Sequence, residues 1–151
     1  MRSATVSRLR LIARSLALAG ALTGLACLRS TAPGPSLLQL NGAWKYTGWQ
    51  TGPVRQTLTG TLTISRESGT SFQGRLDLTV TNEPTGTSSL LGGLVSGSES
   101  DSNVIDFDAS LDTIRRHVGQ IVADTITGTW IGSAPDGTMS SGTFRVEREP
   151  K

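Results

Sequence analysis

The chain has 151 residues, a net charge of +2, one cysteine and one histidine. A single cysteine excludes a disulfide within the chain, and a single histidine with a single cysteine excludes a His/Cys zinc cluster. Four arginines lie within residues 1–26, and the rest of the chain carries ten basic side chains against twelve acidic ones, a net charge of −2. Without a basic excess outside that segment, electrostatic binding to nucleic acid has no support.

The N-terminal segment has the three parts of a secretory signal peptide. An apolar run at residues 16–26 ends in small residues, and it follows four arginines with no acid among them: Arg2, Arg8, Arg10 and Arg14. The run is too short to cross a bilayer, which takes about 20 apolar residues. We therefore predict that residues 1–26 direct secretion.

The stretch LTGLAC, residues 22–27, resembles the lipobox of bacterial lipoproteins, with Ala26 and Cys27 at its last two positions. The resemblance implies that Cys27 is lipidated, becomes the mature N-terminus and attaches the protein to a membrane. Leu28, a non-acidic residue after the cysteine, favours the outer membrane, facing the periplasm, by the same resemblance. The alternative is ordinary cleavage after residues 19–21 (Ala-Gly-Ala), which would give a soluble periplasmic or secreted protein.

Residues 27–40 are predicted to be a flexible tether, because Pro33, Gly34 and Pro35 suit neither a helix nor a strand. The remaining residues, 41–151, are enough for one domain with a modest core. The sequence therefore predicts a signal peptide at 1–26, a tether at 27–40 and one folded domain at 41–151.

The folded domain shows strand periodicity. In residues 58–64 and 72–80 apolar or small residues alternate with polar ones, which is typical of half-buried antiparallel strands. Turn residues divide the domain into eight predicted strands, at 43–50, 54–66, 71–81, 87–97, 103–109, 112–122, 125–132 and 140–148.

Short connections between these strands favour an all-β, eight-stranded, antiparallel up-and-down barrel, because closure removes both sheet edges. A two-sheet β-sandwich is the alternative, since its strands have the same local pattern. Glycines recur on the apolar faces and are expected to let the barrel wall bend: Gly60, Gly74, Gly128 and Gly142.

The first strand opens with Gly42-Ala43-Trp44, and basic residues lie near the end of the last strand. This pattern resembles the calycins, the group of lipocalins, fatty-acid-binding proteins and avidins. The resemblance implies that Trp44 plugs one end of the barrel and that an arginine packs across its ring. Arg145 and Arg148 are the candidates, and alternation favours Arg148.

One predicted strand carries polar residues on its apolar face. In residues 112–122 Arg116 and Gln120 share a face with three aliphatic residues: Ile114, Val118 and Val122. If that face points inward, Arg116 needs a carboxylate partner, a bound anion or a place at the barrel mouth, because a buried unpaired charge is costly. If this face binds a ligand, Arg116 and Gln120 are its polar binding residues. Three aromatic residues would then form the apolar lining of the pocket: Trp44, Tyr46 and Trp130.

Other polar residues have structural explanations. His117 is expected to be an exposed strand residue, since no nucleophile or metal-ligand set is singled out near it. Asp106 and Asp108 alternate with apolar neighbours, and with Asp112 they lack the spacing of a calcium loop, so a solvated face is expected.

Phosphate-binding glycine loops, metal clusters and paired acid motifs are absent from the sequence. We therefore expect that the protein is not an enzyme and has no metal site or cofactor. The sequence favours a lipid-anchored envelope protein whose barrel binds a small, largely apolar or acidic amphiphilic ligand. The alternative is a barrel with a filled core that serves as a structural or protein-interaction module. An internal cavity of about 300 Å³ or more would favour ligand binding.

Overall fold

The computed structural model describes residues 39–100, 102–133 and 136–150. The predicted signal peptide, Cys27 and the tether up to residue 38 lie outside the described residues.

The described chain is an all-β barrel. Its eight strands are β1 (Gly42–Gly52), β2 (Gln56–Ser68), β3 (Ser71–Asn82), β4 (Ser88–Glu99), β5 (Val104–Ser110), β6 (Ile114–Val122), β7 (Thr125–Ser133) and β8 (Met139–Arg148). Each strand pairs antiparallel with the next, and β8 pairs with β1, so the barrel is closed. The predicted up-and-down barrel is confirmed, and the sandwich alternative is wrong because the β1–β8 ladder leaves no second sheet. None of the described residues forms a helix long and apolar enough to cross a membrane.

The register defines two ends. At the Trp44 end β1 begins and β8 ends, with Trp44 opposite Arg148. At the Arg115 end β6 begins and β7 ends, with Arg115 opposite Gly132 and Gly132 opposite Ser140. These three residues form one inward-facing row across β6, β7 and β8.

Burial alternates along the strands as the sequence pattern predicts. Trp44, Tyr46 and Trp130 are at most 1% exposed, so their predicted place in the interior is confirmed. The predicted bending glycines lie where strands approach closely, and a Cβ on Gly60 would lie 1.9 Å from the carbonyl oxygen of Asp77. The barrel wall at this position has room only for glycine.

Strand β6 is the exception, because its predicted inward face points outward. Arg116 and Gln120 are exposed, and the inward face consists of Arg115, His117, Gly119 and Ile121. The interior position predicted for Arg116 and Gln120 is therefore wrong, and so is the exposed position predicted for His117, which is 1% exposed. Three of the four aliphatic residues of β6, Ile114, Val118 and Val122, point to solvent, so hydrophobicity does not mark the inner face of this strand.

The Trp44 end is closed by side chains. The guanidinium carbon of Arg148 lies 4.1 Å from the centroid of the Trp44 ring, which is the packing that the family resemblance implied for an arginine here. The indole Nε1 of Trp44 donates to the carbonyl of Leu40 at 2.9 Å. Leu40 is buried, so this residue, assigned to the tether by sequence, belongs to the core.

Candidate ligand site at the Arg115 end of the barrel

The middle of the barrel is filled by rings in mutual contact. Tyr46 stacks on Phe144 with centroids 6.0 Å apart, and His117 stacks on Phe107 at 4.4 Å. Phe144 also meets His117 edge-on at 5.1 Å. Rings at these separations pack as a protein core does, so a ligand reaching the centre would have to displace them.

Within this core a tyrosine and a histidine form a hydrogen-bonded pair. The Tyr46 hydroxyl lies 3.2 Å from Nε2 of His117, and Nδ1 of His117 lies 3.0 Å from the carbonyl oxygen of Arg115. Burial lowers the pKa of His117 to about 4 and raises the pKa of Tyr46 above its usual range. The positive charge of Arg115 lowers both pKa values, so this guanidinium acts electrostatically on the centre of the barrel.

Polar side chains face inward at the Arg115 end. Arg115, Gln50 and Ser140 are each less than 9% exposed. The Gln50 amide donates to the carbonyl of Val54 at 3.0 Å, and the Ser140 hydroxyl donates to the carbonyl of Gly132 at 3.3 Å. These two polar groups are therefore satisfied within the protein.

Arg115 and Trp130 are not satisfied in this way. Nε and Nη1 of Arg115 and Nε1 of Trp130 are buried and have no hydrogen-bond acceptor among the described residues. The guanidinium carbon lies 5.0 Å from the centroid of the Trp130 ring, so the two side chains pack against each other. Nη2 of Arg115 has one partner, a carboxylate oxygen of Asp112 at 3.3 Å. We call Arg115 and Trp130, with Gln50 and Ser140 beside them, the Arg115 site.

Among the residues that sequence singled out for binding, the structure brings Trp130 to this site and leaves the others elsewhere. Trp44 lies at the opposite end, and Tyr46 lies in the central core. Arg116 points to solvent, where it forms a bidentate pair with Asp106 at 2.6 and 3.2 Å. Asp106 and Asp108 lie on the outer wall as predicted. No group of three or more acidic, His or Cys residues in the described ranges could hold a metal ion.

Arg115 itself is the residue that sequence reasoning missed. It is adjacent to Arg116, and a strand places neighbours on opposite faces, so one residue of register decides which arginine is buried. The inner face of β6 is identified by His117 and Gly119, because the Phe144 ring lies against Gly119. A Cβ on Gly119 would lie 2.9 Å from Phe144 Cζ.

No family model matches the chain, and no curated protein matches it in sequence. Solved structures match in fold. EF1p2_mFAP2b bound to DFHBI is 14% identical with a TM-score of 0.62, over 73% of this chain and 94% of that one. The redesigned β-barrel mFAP1 bound to DFHBI is 16% identical with a TM-score of 0.56, over 72% and 94%. A de novo designed fluorescence-activating β-barrel is 15% identical with a TM-score of 0.52, over 72% and 93%. At these identities the likeness is one of fold.

Proposed function

We propose that this protein is a lipid-anchored cell-envelope protein whose barrel binds a small ligand at the Arg115 end. One observation carries the binding part of the proposal: buried N–H donors of Arg115 and Trp130 lack an acceptor among the described residues. A buried donor without an acceptor costs about 1–3 kcal/mol, and more when it is charged. A ligand that accepts hydrogen bonds there would recover this free energy.

The packing of the core limits the size of the ligand. The contacting rings of Tyr46, Phe144 and His117 fill the barrel beyond the site. The ligand therefore belongs at the end of the barrel, with the indole of Trp130 as an apolar surface. An eight-stranded barrel has an interior that side chains just fill or that holds one small ligand. Two barrels of similar fold are bound to DFHBI, which supports binding of a small molecule by this architecture.

The proposal is one of binding rather than catalysis. Tyr46 and His117, the paired titratable groups of the core, are at most 1% exposed and enclosed by rings, so a substrate does not reach them. Burial is the largest cause of the perturbed pKa values of both groups, so these values do not require a catalytic role.

The anchoring part of the proposal rests on the sequence of residues 1–28, with Cys27 as the lipidated residue and the outer membrane as the destination. The described chain begins at the Trp44 end, where the guanidinium of Arg148 donates to the carbonyl of Asn41 at 3.1 Å. A tether attached there starts at the opposite end of the barrel from the Arg115 site.

Native mass spectrometry of the protein purified from its own host tests the binding proposal. We expect a fraction of the protein to carry a small added mass that is lost on mild activation and is absent from Arg115→Met. If the host protein carries no added mass and small-molecule probes do not bind, a ligand-binding function is wrong.

The second candidate is a filled barrel that acts as an interaction module. The contacting rings of the core support it, and so do large apolar residues on the outer wall, with Leu90 82% and Leu94 71% exposed. A protein without bound ligand in the same experiment would favour this function.

A further inference from the structure

We infer that the Arg115 site receives an anionic group, a carboxylate or phosphate-type oxyanion, with Arg115 and Trp130 as its hydrogen-bond donors. This inference rests on the proposed small-ligand function and specifies the chemical class that the ligand must have.

Arg115 has more hydrogen-bond donors than the protein around it uses. A guanidinium carries five N–H donors and no acceptor. Asp112 receives a bond from Nη2 at 3.3 Å, and Nε and Nη1 keep their hydrogens without an acceptor among the described residues. The Arg115 side chain is only 7% exposed, whereas Asp112 is 38% exposed and solvated. The buried part of the pair is therefore the positive charge.

Trp130 supplies a second unsatisfied donor beside Arg115. The indole nitrogen of Trp130 is donor-only, and it too is buried without an acceptor in the described part of the chain. The Arg115 guanidinium lies over the Trp130 ring, 5.0 Å from its centroid. Two donor-only side chains, one of them charged, thus pack against each other. A deprotonated oxyanion is acceptor-only, and charge-assisted bonds to it are about twice as strong as neutral ones.

The barrel wall holds these two side chains in place. Two glycines leave the inner wall bare beside them. A Cβ on Gly142 would lie 2.8 Å from Nε1 of Trp130, and a Cβ on Gly132 would lie 3.0 Å from Cγ of Arg115. The indole and the arginine stem therefore lie close against the wall of β7 and β8. Donors fixed before the ligand arrives lose little freedom on binding, which favours affinity.

The inference is tested by isothermal titration of the wild-type protein with three small probes. Benzoate and phenyl phosphate each combine one ring with one oxyanion, and they distinguish a carboxylate site from a phosphate site. Benzyl alcohol is the neutral control. We expect at least one anionic probe to bind at least about tenfold more tightly than benzyl alcohol, as charged hydrogen bonds require.

The matched variants are Arg115→Met and Arg116→Met, which remove the same charge from adjacent residues on opposite faces of β6. We expect Arg115→Met to weaken binding of the anionic probe by about tenfold or more, and Arg116→Met to leave it unchanged. Trp130→Phe keeps a ring and deletes the N–H, and we expect a loss of about three- to tenfold. Arg115→Lys keeps the charge without the planar fork and should bind with intermediate affinity. Because Arg115→Lys retains a charged donor, it also tests the site if Arg115→Met fails to fold.

The results distinguish failure of the anion site from failure of the proposed ligand-binding function. If benzyl alcohol binds as tightly as both anions, or if Arg116→Met weakens anion binding as much as Arg115→Met, small-ligand binding stands and the anion site at Arg115 is wrong. If none of the probes binds, native mass spectrometry of the protein purified from its own host decides between the remaining outcomes. A retained anion that Arg115→Met loses supports the inference, a retained neutral molecule overturns the inference alone, and no retained mass overturns both the inference and the proposed function.

Discussion

The hydroxyl of Tyr46 lies 3.2 Å from Nε2 of His117, at the centre of the barrel. On the other side of the ring, Nδ1 of His117 lies 3.0 Å from the carbonyl oxygen of Arg115. A carbonyl oxygen only accepts, so Nδ1 carries the proton and Nε2 accepts the bond from the tyrosine hydroxyl. Both ring nitrogens are satisfied in the neutral form of His117, and protonation would break the bond from Tyr46.

We expect the protein to lose stability in mild acid because of this histidine. Burial lowers the pKa of His117 to about 4, whereas an unfolded histidine has a pKa of about 6.5. As the pH falls from about 6.5 to about 4, the unfolded chain binds a proton that the folded chain does not. The free energy of unfolding therefore decreases by about 3 kcal/mol over this range and levels off below it.

Urea unfolding at a series of pH values measures this loss, and an NMR titration of the single histidine reports its folded pKa directly. The control is His117→Phe combined with Tyr46→Phe, which removes the imidazole together with the hydroxyl that bonds to it. Carboxylates titrate in both proteins, so the difference between the two pH profiles isolates His117. An imidazole resonance that titrates near pH 6.5 would contradict the prediction.

Arg148→Lys should destabilise the protein by about 1–2 kcal/mol. Nε of Arg148 donates to Asp124 at 2.9 Å, Nη1 donates to the carbonyl of Asn41 at 3.1 Å, and the guanidinium covers the Trp44 ring. A lysine has one compact charged group and cannot make all these contacts. The control is Arg145→Lys, whose exposed pair with Glu147 contributes less than about 1 kcal/mol. Equal urea midpoints for the two variants would show that the plug at the Trp44 end does not depend on the guanidinium.

Gly60→Ala should cost at least about 2 kcal/mol, because the added Cβ would lie 1.9 Å from the carbonyl oxygen of Asp77 and force strands β2 and β3 apart. Gly52→Ala is the control, since no heavy atom other than those of its chain neighbours lies within 4 Å of its added Cβ. Thermal unfolding of both variants checks the difference. Similar melting temperatures would mean that the wall can adjust at Gly60.

The fold could be predicted from the sequence because strands such as β2 and β3 carry their large apolar residues on the inner face. In β2 and β3, for example, Leu62 and Leu76 are fully buried and alternate with exposed Thr63 and Arg75. Turn residues between the strands fixed their number, and a closed sheet of eight is the arrangement that removes both edges.

The candidate site could not be predicted in the same way, because β6 inverts the usual pattern. Its outward face carries Ile114, Val118 and Val122, and its inward face carries Arg115 and His117. The inward position of these two residues goes with long-range contacts to other strands, of Arg115 with Trp130 and of His117 with Tyr46. Such contacts leave no pattern in the local sequence, so the alternation of apolar and polar residues placed Arg116 on the inner face instead of Arg115.

Cys27→Ser should move the protein from the membrane fraction to the aqueous fraction. The leader and the lipobox-like end of residues 22–27 predict that lipid on Cys27 holds the mature protein. Detergent partitioning of both proteins in a bacterial host, with mass spectrometry of their N-termini, measures the change. If both proteins are equally soluble and both begin after Ala21, the protein is secreted without an anchor.

Arg115→Met should leave the ligand-free protein as stable as the wild type or make it more stable. Removing a charge that is buried with incomplete hydrogen bonding relieves a desolvation cost, and the methionine supplies apolar volume in its place. The exposed neighbour gives the matched comparison, since Arg116→Met breaks only a surface pair with Asp106 and should change the free energy of unfolding by less than about 1 kcal/mol.

Adding an anion separates the two variants further. If the site binds benzoate or phenyl phosphate, a concentration 100 times the dissociation constant raises the free energy of unfolding by about 2.7 kcal/mol in the wild type and in Arg116→Met. In Arg115→Met the same addition should raise it by only about 1.4 kcal/mol or less, because the anion binds this variant about tenfold or more weakly. Urea unfolding with and without the probe measures all three proteins. A loss of more than about 2 kcal/mol in ligand-free Arg115→Met would instead make Arg115 a structural residue, stabilised by Asp112 and the Trp130 ring rather than reserved for a ligand.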